Sequence, residues 1–375
     1  MVVVKKSVTD RLKTVKVKQQ RTEPLWKGPE VDGITQSMLS RFLVCRERFR
    51  VAYIVGLKPA DQFYAPLEFG NMWHVCEEAY ARGEKPGLVT HDWTEVLMQY
   101  CQGLCKKYPL AQQQVNDWYE KCKALFPIYV EHWSQHQDVV DRTPLMQEQV
   151  FDVPYLLPSG RTVRLRGKWD SVDLIGKGRD AGVYLQENKT KSAIDTAKLT
   201  RQLGFDLQTM LYLTALAWTN HHDEEGNGLP APKLLPGSPV KGVRYNVIRR
   251  SAHKSVESML KKLSEDRDDG RIGEWFSRWK VEVSPQDITR FRRECLDPIL
   301  EQLCDWYETV TKDNGVNDPF RSYYVNGTEY YVHWRHPFGV YNVLDEGGSS
   351  DLDTYLDTGS EVGLRRVETL FEELS

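Results

Sequence analysis

Residues 184 to 192 read Tyr-Leu-Gln-Glu-Asn-Lys-Thr-Lys-Ser, an apolar run that ends in an acid and a base. In a β-strand, side chains two apart share a face, so Glu187 and Lys189 project the same way, roughly 6 to 7 Å apart. Such a pair is either a solvated strand end or half of a metal site, and alone it is a common surface feature. Upstream, in "RTVRLRGKWD", Val163, Leu165 and Trp169 are apolar while Arg164, Arg166, Lys168 and Asp170 are charged, which leaves one face wet. The segment from Gly176 to Gly182 is a glycine-bounded turn. If it centres near Arg179, Asp170 comes within a residue or two of Glu187, with Asp173 farther up the ladder near Leu185. An Asp and a Glu converging beside a Lys suit Mg²⁺, which binds through one or two carboxylates and completes its shell with water and phosphate oxygens. A cation so held lowers the pKa of bound water and stabilises charge on a phosphodiester undergoing displacement. Lys189 would orient that water or steady the developing negative charge.

The elements that must position these groups follow from periodicity. Apolar residues recur at helical spacing from "ITQSMLSRFLVCRERFRVAYIVGL" to about residue 135, with Thr35 placed as an N-cap. The period then changes, and "FDVPYLLPSGRTVRLRGKWDSVDLIGKGRDAGVYLQENKTK" reads as a three-stranded meander. "LTRQLGFDLQTMLYLTALAWTNH" reads as one amphipathic helix, and "HHDEEGNGLPAPKLLPGSPVKG" as a Gly/Pro-rich loop. "VRYNVIRR" is a further strand, and "SPQDITRFRRECLDPILEQLCDWYETV" a long helix opening at Ser284 or Asp287. The expected class is α/β, a mixed β-sheet flanked by helices with a helical N-terminal portion. The expected divisions are a basic flexible arm (1–30), a helical portion (31–145), a core with C-terminal helices (146–345) and an acidic tail (346–375).

Composition narrows the class. With 375 residues, 40% hydrophobic and 27% charged, the chain is that of a globular protein able to bury a sizeable core. The net charge of −3 offers no global attraction for nucleic acid, so any such contact must come from local patches. Seven cysteines, at 45, 76, 101, 105, 122, 295 and 304, form no CxxC pair, and an odd count points to free thiols in a reducing compartment such as the cytoplasm. No stretch of eighteen residues lacks charge and the start has no apolar h-region, so neither a membrane span nor a signal peptide is expected.

Gly167-Lys-Trp-Asp170, Glu187-Asn-Lys189-Thr and "DLQTMLY" with Gln208 and Tyr212 together resemble the PD-(D/E)xK nuclease superfamily in its RecB-like branch. That branch also carries a helical Gly-x-x-x-His-x-x-x-Glu pattern, supplied here by Gly70, His74 and Glu78 in "GNMWHVCEEAY". Its opening Ser-containing helix, running into Cys and basic or aromatic residues, is similar to "TQSMLSRFLVCRERFRVAYIVGL". The resemblance implies a restriction-endonuclease-like core in which His74, Asp170 and Glu187 are metal ligands for Mg²⁺ or Mn²⁺. It makes Lys189 the catalytic lysine, with Gln208 and Tyr212 completing the catalytic set and Glu78, or its neighbour Glu77, in support. Gln208 and Tyr212 are four apart, as are His74 and Glu78, so each pair lies on one helix face.

Many relatives hold an iron–sulfur cluster, with one early Cys and three near the C-terminus. Cys45 stands where the first would be, but "FRSYYVNGTEYYVHWRHPFGVYNVLDEGG" contains none, and no cluster is expected. His333 and His336 in that segment, with its tyrosines, would replace the metal by packing. Cys101 and Cys105 share a helix face and, with a His, could hold zinc; buried thiols explain them more simply. Candidate DNA contacts are Arg164, Arg166, Lys168, Lys191, Arg249 and Arg250, together with Lys198 and the basic arm. The resemblance implies a metal-dependent deoxyribonuclease, in first place an exonuclease acting on DNA ends in recombination or repair, as in phage recombination nucleases. A single-strand-annealing or recombinase partner and an oligomer would fit it. The alternatives are an endonuclease of a defence, restriction or CRISPR-adaptation system, which would cut closed circles, and a catalytically silent DNA-binding protein.

Overall fold

A computed structural model describes residues 23–59, 63–83, 92–134, 136–178, 181–204, 206–222, 240–312, 364–367, 369–371 and 374. The chain opens with β1 (Ile34–Thr35), α1 (Gln36–Val44), α2 (Arg46–Phe49), a π-helical segment (Arg50–Val55) and β2 (Leu57–Pro59). Three longer helices follow, α3 (Ala65–Gly83), α4 (Trp93–Lys107) and α5 (Gln112–Trp133), then the short α6 (Gln137–Val140). Next come β3 (Arg142–Leu156), β4 (Thr162–Ile175), β5 (Gly182–Lys191), α7 (Thr196–Leu203) and α8 (Leu207–His222). The rest comprises β6 (Val240–Arg249), α9 (Val256–Asp268), β7 (Phe276–Glu282), α10 (Pro285–Phe291), a second π-helical segment (Arg292–Leu296), α11 (Asp297–Thr311) and β8 (Leu364–Arg366).

The main sheet is six-stranded and mixed, in the order β1-β4-β5-β6-β7 with β3 also pairing β4. β4 and β5 are antiparallel, joined through a turn in which Gly176 and Gly178 take positive φ of 92° and 62°, a region glycine enters without steric cost. β5 and β6 are parallel, which demands a crossover, and α7 and α8 lie between them in the chain. β5 is buried from Gly182 to Asn188, so Gln186, Glu187 and Asn188 all need internal partners.

The chain divides into two compact units that do not follow chain order. One comprises Gln62–Pro154 and Leu165–Leu296. Its helical core packs Phe69, Met72, Trp73 and Cys76 of α3 against Leu97, Cys101 and Leu104 of α4 and Leu125, Phe126 and Tyr129 of α5, each set at i, i+3, i+4 spacing. Trp73 meets both Phe126 and Tyr129 edge-on. The thiols of Cys76 and Cys122 lie 3.8 Å apart within this core, in hydrogen-bond contact and not joined as a disulfide. The other unit comprises Met1–Asp61, Tyr155–Arg164 and Asp297–Ser375. Its centre is aromatic: Trp26 packs on Phe49 and Tyr307, and Trp306 on Phe42 and Phe49.

Thr35 caps α1, accepting from the Met38 N–H. Other expectations need correction. Residues 23 to 30, expected as the end of a flexible arm, are tied down: Leu25 and Trp26 donate to the carbonyls of Ile54 and Tyr53, and the Trp26 indole donates to the Gly33 carbonyl. In the expected acidic tail, β8 pairs with β2, Val367 is buried, and its N–H donates to Gly56. The single helix expected around "LTRQLGFDLQTM" is two, because α7 ends at Gly204 and Asp206 opens α8. The long helix starting at Ser284, where Ser284 and Asp287 form a capping box, is interrupted by the π-helical segment at Arg292–Leu296. α9 and β7 had no counterpart in the sequence reading. Residues 1–22, residues 223–239 of the expected Gly/Pro-rich loop and the segment holding His333 and His336 lie outside the described residues. Among the described residues, no helix is long and apolar enough to cross a membrane.

Candidate metal centre and catalytic lysine

The site lies within the unit formed by Gln62–Pro154 and Leu165–Leu296, and five of its elements supply side chains. β4 and β5 come first. Their register pairs Ser171 with Gln186, which sets Asp170 beside Glu187, and the Asn188 N–H donates to Asp170 Oδ2 at 2.9 Å. Asp173 lies opposite Tyr184, one residue from its expected place, fully buried and taken by Arg142 and Arg244, each at 2.9 Å. It is a structural ion pair, not a ligand.

α3 supplies His74. One turn earlier Gly70 faces β5, where a Cβ would stand in ordinary contact, 3.4 Å from Thr190 Oγ1. His74 Nδ1 sits 3.8 Å from Asp170 Oδ1 and 3.2 Å from Glu148 Oε1. Glu148, on β3, is the residue that sequence reasoning missed. It takes φ of 47°, rare for a side-chain-bearing residue, and its side chain is 7% exposed. His74, Glu148 and Asp170 offer ligand atoms all within 4.8 Å of one another. Glu187 falls outside that triple and turns Oε2 to Lys189, while its buried Oε1 has no hydrogen-bond partner among the described residues. Glu78, one turn beyond His74, is not in the cluster but adds negative potential at Lys168. Glu77 points elsewhere, accepting from Trp73 and Asn246.

α8 supplies the remaining pair. Lys189 Nζ, on a side chain only 21% exposed, donates to Glu187 Oε2 at 2.8 Å and to Gln208 Oε1 at 3.0 Å. Tyr212 is buried edge-on against Phe151, and burial is the largest of the influences that push its hydroxyl pKa up. This close packing requires Gly167, where a Cβ would stand 2.6 Å from Phe151 Cζ and 3.0 Å from Tyr212 Cε1.

Electrostatics fit a cage of acids built around a cation. Burial pushes the Glu187 carboxyl up to about 7, against the pull of Lys189 and helped by Asp170. Burial disfavours the His74 imidazolium, but Asp170 and Glu148 outweigh it and raise its pKa to about 9. Burial also disfavours the Lys189 ammonium, which Glu187 and Asp170 more than restore. The donor set is one imidazole and carboxylate oxygens, including an unpaired buried one, and a hard divalent cation satisfies such a set.

The expected DNA-contacting cations are mostly engaged. Arg164 Nη1 donates to the Val31 carbonyl, Arg166 pairs with Asp152 at 3.2 Å, and Lys168 pairs with Glu148 Oε2 at 2.8 Å. Arg249 lies over the Trp275 ring and 3.8 Å from Glu274. Lys191 and Arg250 stand together where β5 and β6 end, linked by the Arg250 N–H to the Lys191 carbonyl. Lys198 is exposed on α7. Cys45 and Cys304 are buried and Cys295 is exposed, and among the described residues no cluster of three or more ligand types includes a cysteine.

A sheet in which an acid-x-lysine strand runs parallel to its neighbour, with an Asp on the antiparallel strand beside it, is the frame of a nuclease class. The chain belongs to the PD-(D/E)XK nuclease superfamily, whose profile matches residues 34–305. It is also similar to a subunit of the ATP-dependent helicase/deoxyribonuclease of Clostridium acetobutylicum, 24% identical over 225 residues. That match covers 54% of this chain and 18% of the relative, so the chain spans less than a fifth of that protein's length.

Proposed function

We propose that this chain is a RecB-like, Mg²⁺- or Mn²⁺-dependent deoxyribonuclease acting from DNA ends. The observation that carries the reading is the unpaired Glu187 Oε1, buried beside Asp170 and next to the His74–Glu148–Asp170 triple, with Lys189 fixed at its other oxygen. His74, Glu148, Asp170 and Glu187 would hold the cation, which when bound acidifies water and polarises a phosphate oxygen. Asp170 and Glu187 are held rigid by the strand ladder, so the ligand set needs little rearrangement. Lys189, kept charged by its acids and aimed by Gln208, places an ammonium where negative charge builds on the scissile phosphate. Tyr212 and Gly167 close the wall behind Gln208. Lys191, Arg250 and Lys198, beyond the end of the acid-x-lysine strand, would receive phosphates of the flanking strand. The similarity to a helicase/deoxyribonuclease subunit supports DNA as substrate and a protein partner, and the nuclease would serve recombination or repair.

The test incubates wild type and Lys189→Ala with linear and closed-circular DNA, in Mg²⁺ or Mn²⁺ and in EDTA. Degradation of linear DNA alone, abolished by EDTA and reduced at least ~100-fold in the variant, is the expected result. Cutting of the circle would replace the exonuclease reading by an endonuclease. No cleavage by wild type under any of these conditions would refute the activity.

A further inference from the structure

Gln208 belongs to the first turn of α8, where a helix has unpaired N–H groups and is prone to fray. A side chain there can hold a 3.0 Å bond to Lys189 only if that turn is fixed to the sheet. The turn is fixed by three polar residues that the chemistry itself does not use. Asp206 Oδ1 accepts from the backbone N–H groups of Gln208 and Thr209, at 2.8 and 3.1 Å, and its carbonyl accepts from Met210, so it caps the helix. Its other oxygen accepts from the Thr209 hydroxyl at 2.7 Å. Tyr245 of β6 reaches the same point: its hydroxyl lies 2.7 Å from Thr209 Oγ1 and 3.1 Å from Asp206 Oδ2, and it donates to the carbonyl of Leu203, the last residue of α7. Tyr245 stands opposite Glu187 in the β5–β6 register, and Trp279 packs on its ring at 5.6 Å. One hydroxyl therefore staples the end of α7 and the start of α8 to the strand beside Glu187.

Tyr245 and Thr209 are completely buried and Asp206 is half-buried, and burying two hydroxyls is costly unless both are hydrogen-bonded. Apolar residues would pack this corner as well but would leave the helix free to rotate or slide. We infer that Asp206, Thr209 and Tyr245 are positioning residues that act through Gln208, locking the first turn of α8 so that the Gln208 carbonyl oxygen stays on the Lys189 ammonium. This rests on the proposed nuclease reading for its kinetic consequence, but not for its structural one.

Two readouts separate these. The first is a double-mutant cycle on single-turnover cleavage of linear DNA, with Asp206→Ala and Tyr245→Phe made in wild-type and Gln208→Ala backgrounds. Asp206→Ala should slow cleavage ~10-fold, with DNA affinity measured in Ca²⁺ unchanged, and Asp206→Asn, which keeps the cap, should recover most of the rate. In the Gln208→Ala background the same changes should cost less than ~2-fold, because the group they act through is already gone. Tyr245→Phe, which removes one oxygen, carries the cycle should Asp206→Ala fail to fold.

The second readout needs no activity: acetylation of Lys189 by an amine-selective reagent, followed by mass spectrometry. Asp206→Ala, Tyr245→Phe and Gln208→Ala should each accelerate labelling of Lys189 relative to the other lysines. Equal losses of rate in both backgrounds, or unaltered Lys189 labelling, would overturn the inference. If wild type cleaves no DNA, the activity proposal fails and the labelling alone decides the positioning role.

Discussion

Loading the metal centre should be a proton-release reaction, and its size follows from two side chains. A histidine ligand must be neutral and a carboxylate ligand ionised before either can bind a cation. In the metal-free protein His74 titrates at about 9, because Asp170 and Glu148 overcome the effect of burial, and Glu187 at about 7, because burial disfavours its charge. At neutral pH, roughly one His74 in 100 is therefore ready, a penalty of ~2.7 kcal/mol, and about half of Glu187 is. Both shifts have the same sign for binding, since each proton retained by the metal-free site competes with the cation. Affinity should climb steeply as pH rises through 7, by ~10-fold per unit between about 7.5 and 8.5, and level off above about 9. About 1.5 protons should leave per cation bound at neutral pH, ~1 from His74 and ~0.5 from Glu187. Calorimetric titration of Mn²⁺ in two buffers of different ionisation enthalpy, without DNA, counts those protons directly. His74→Ala should bind weakly and lose most of the pH slope. An affinity constant within ~3-fold between about pH 6.5 and 8.5, or release of fewer than ~0.5 protons, would refute the reasoning.

Three further outcomes are expected. Lys189→Arg should fall nearly as far as Lys189→Ala in cleavage rate, because a planar guanidinium cannot keep the geometry of both Glu187 and Gln208; a variant within ~3-fold of wild type would remove the positional argument. Gly167→Ala forces a methyl against the Phe151 and Tyr212 rings and should lower stability by ~1–3 kcal/mol, read as a drop in Tm. Asp173→Asn leaves Arg142 and Arg244 short of their shared acid in a dry interior and should cost ~3–5 kcal/mol in denaturant unfolding without changing the metal ligands.

The readable part of the site was the part set by short-range geometry. Alternation along β4 and a glycine turn suffice to bring Asp170 to Glu187, and helical spacing suffices to align Gln208 with Tyr212. Glu148 was hidden for a physical reason. Met146 and Phe151 are both buried although 151 lies an odd step beyond 146 in a period-two strand, so the strand changes phase between them, and the positive φ at Glu148 falls in that stretch. A period-two reading cannot see through such a break. Arg166 and Lys168 looked free for the same cause: their acids, Asp152 and Glu148, come from the neighbouring β3, whose register no local pattern specifies. The corner between α7 and α8 is marked in the sequence only by Gly204, the C-cap of one helix, and Asp206, the N-terminal acceptor of the next.

The aromatic centre built from Trp26, Phe49, Trp306 and Tyr307 sets a schedule on the ribosome. The Tyr307 hydroxyl donates to the carbonyl of Trp26 across 281 residues of sequence. At ~5–20 residues per second, the early aromatic residues wait roughly 15 to 60 s for their partners to be made. By then the segments carrying His74, Glu148, Asp170, Glu187, Lys189 and Gln208 have all been synthesised. The nascent chain meanwhile exposes Trp26, Phe42 and Phe49, the residues most apt to stick to other unfinished chains. Soluble yield should therefore respond to chaperone supply and translation speed more than to substitutions around the lysine.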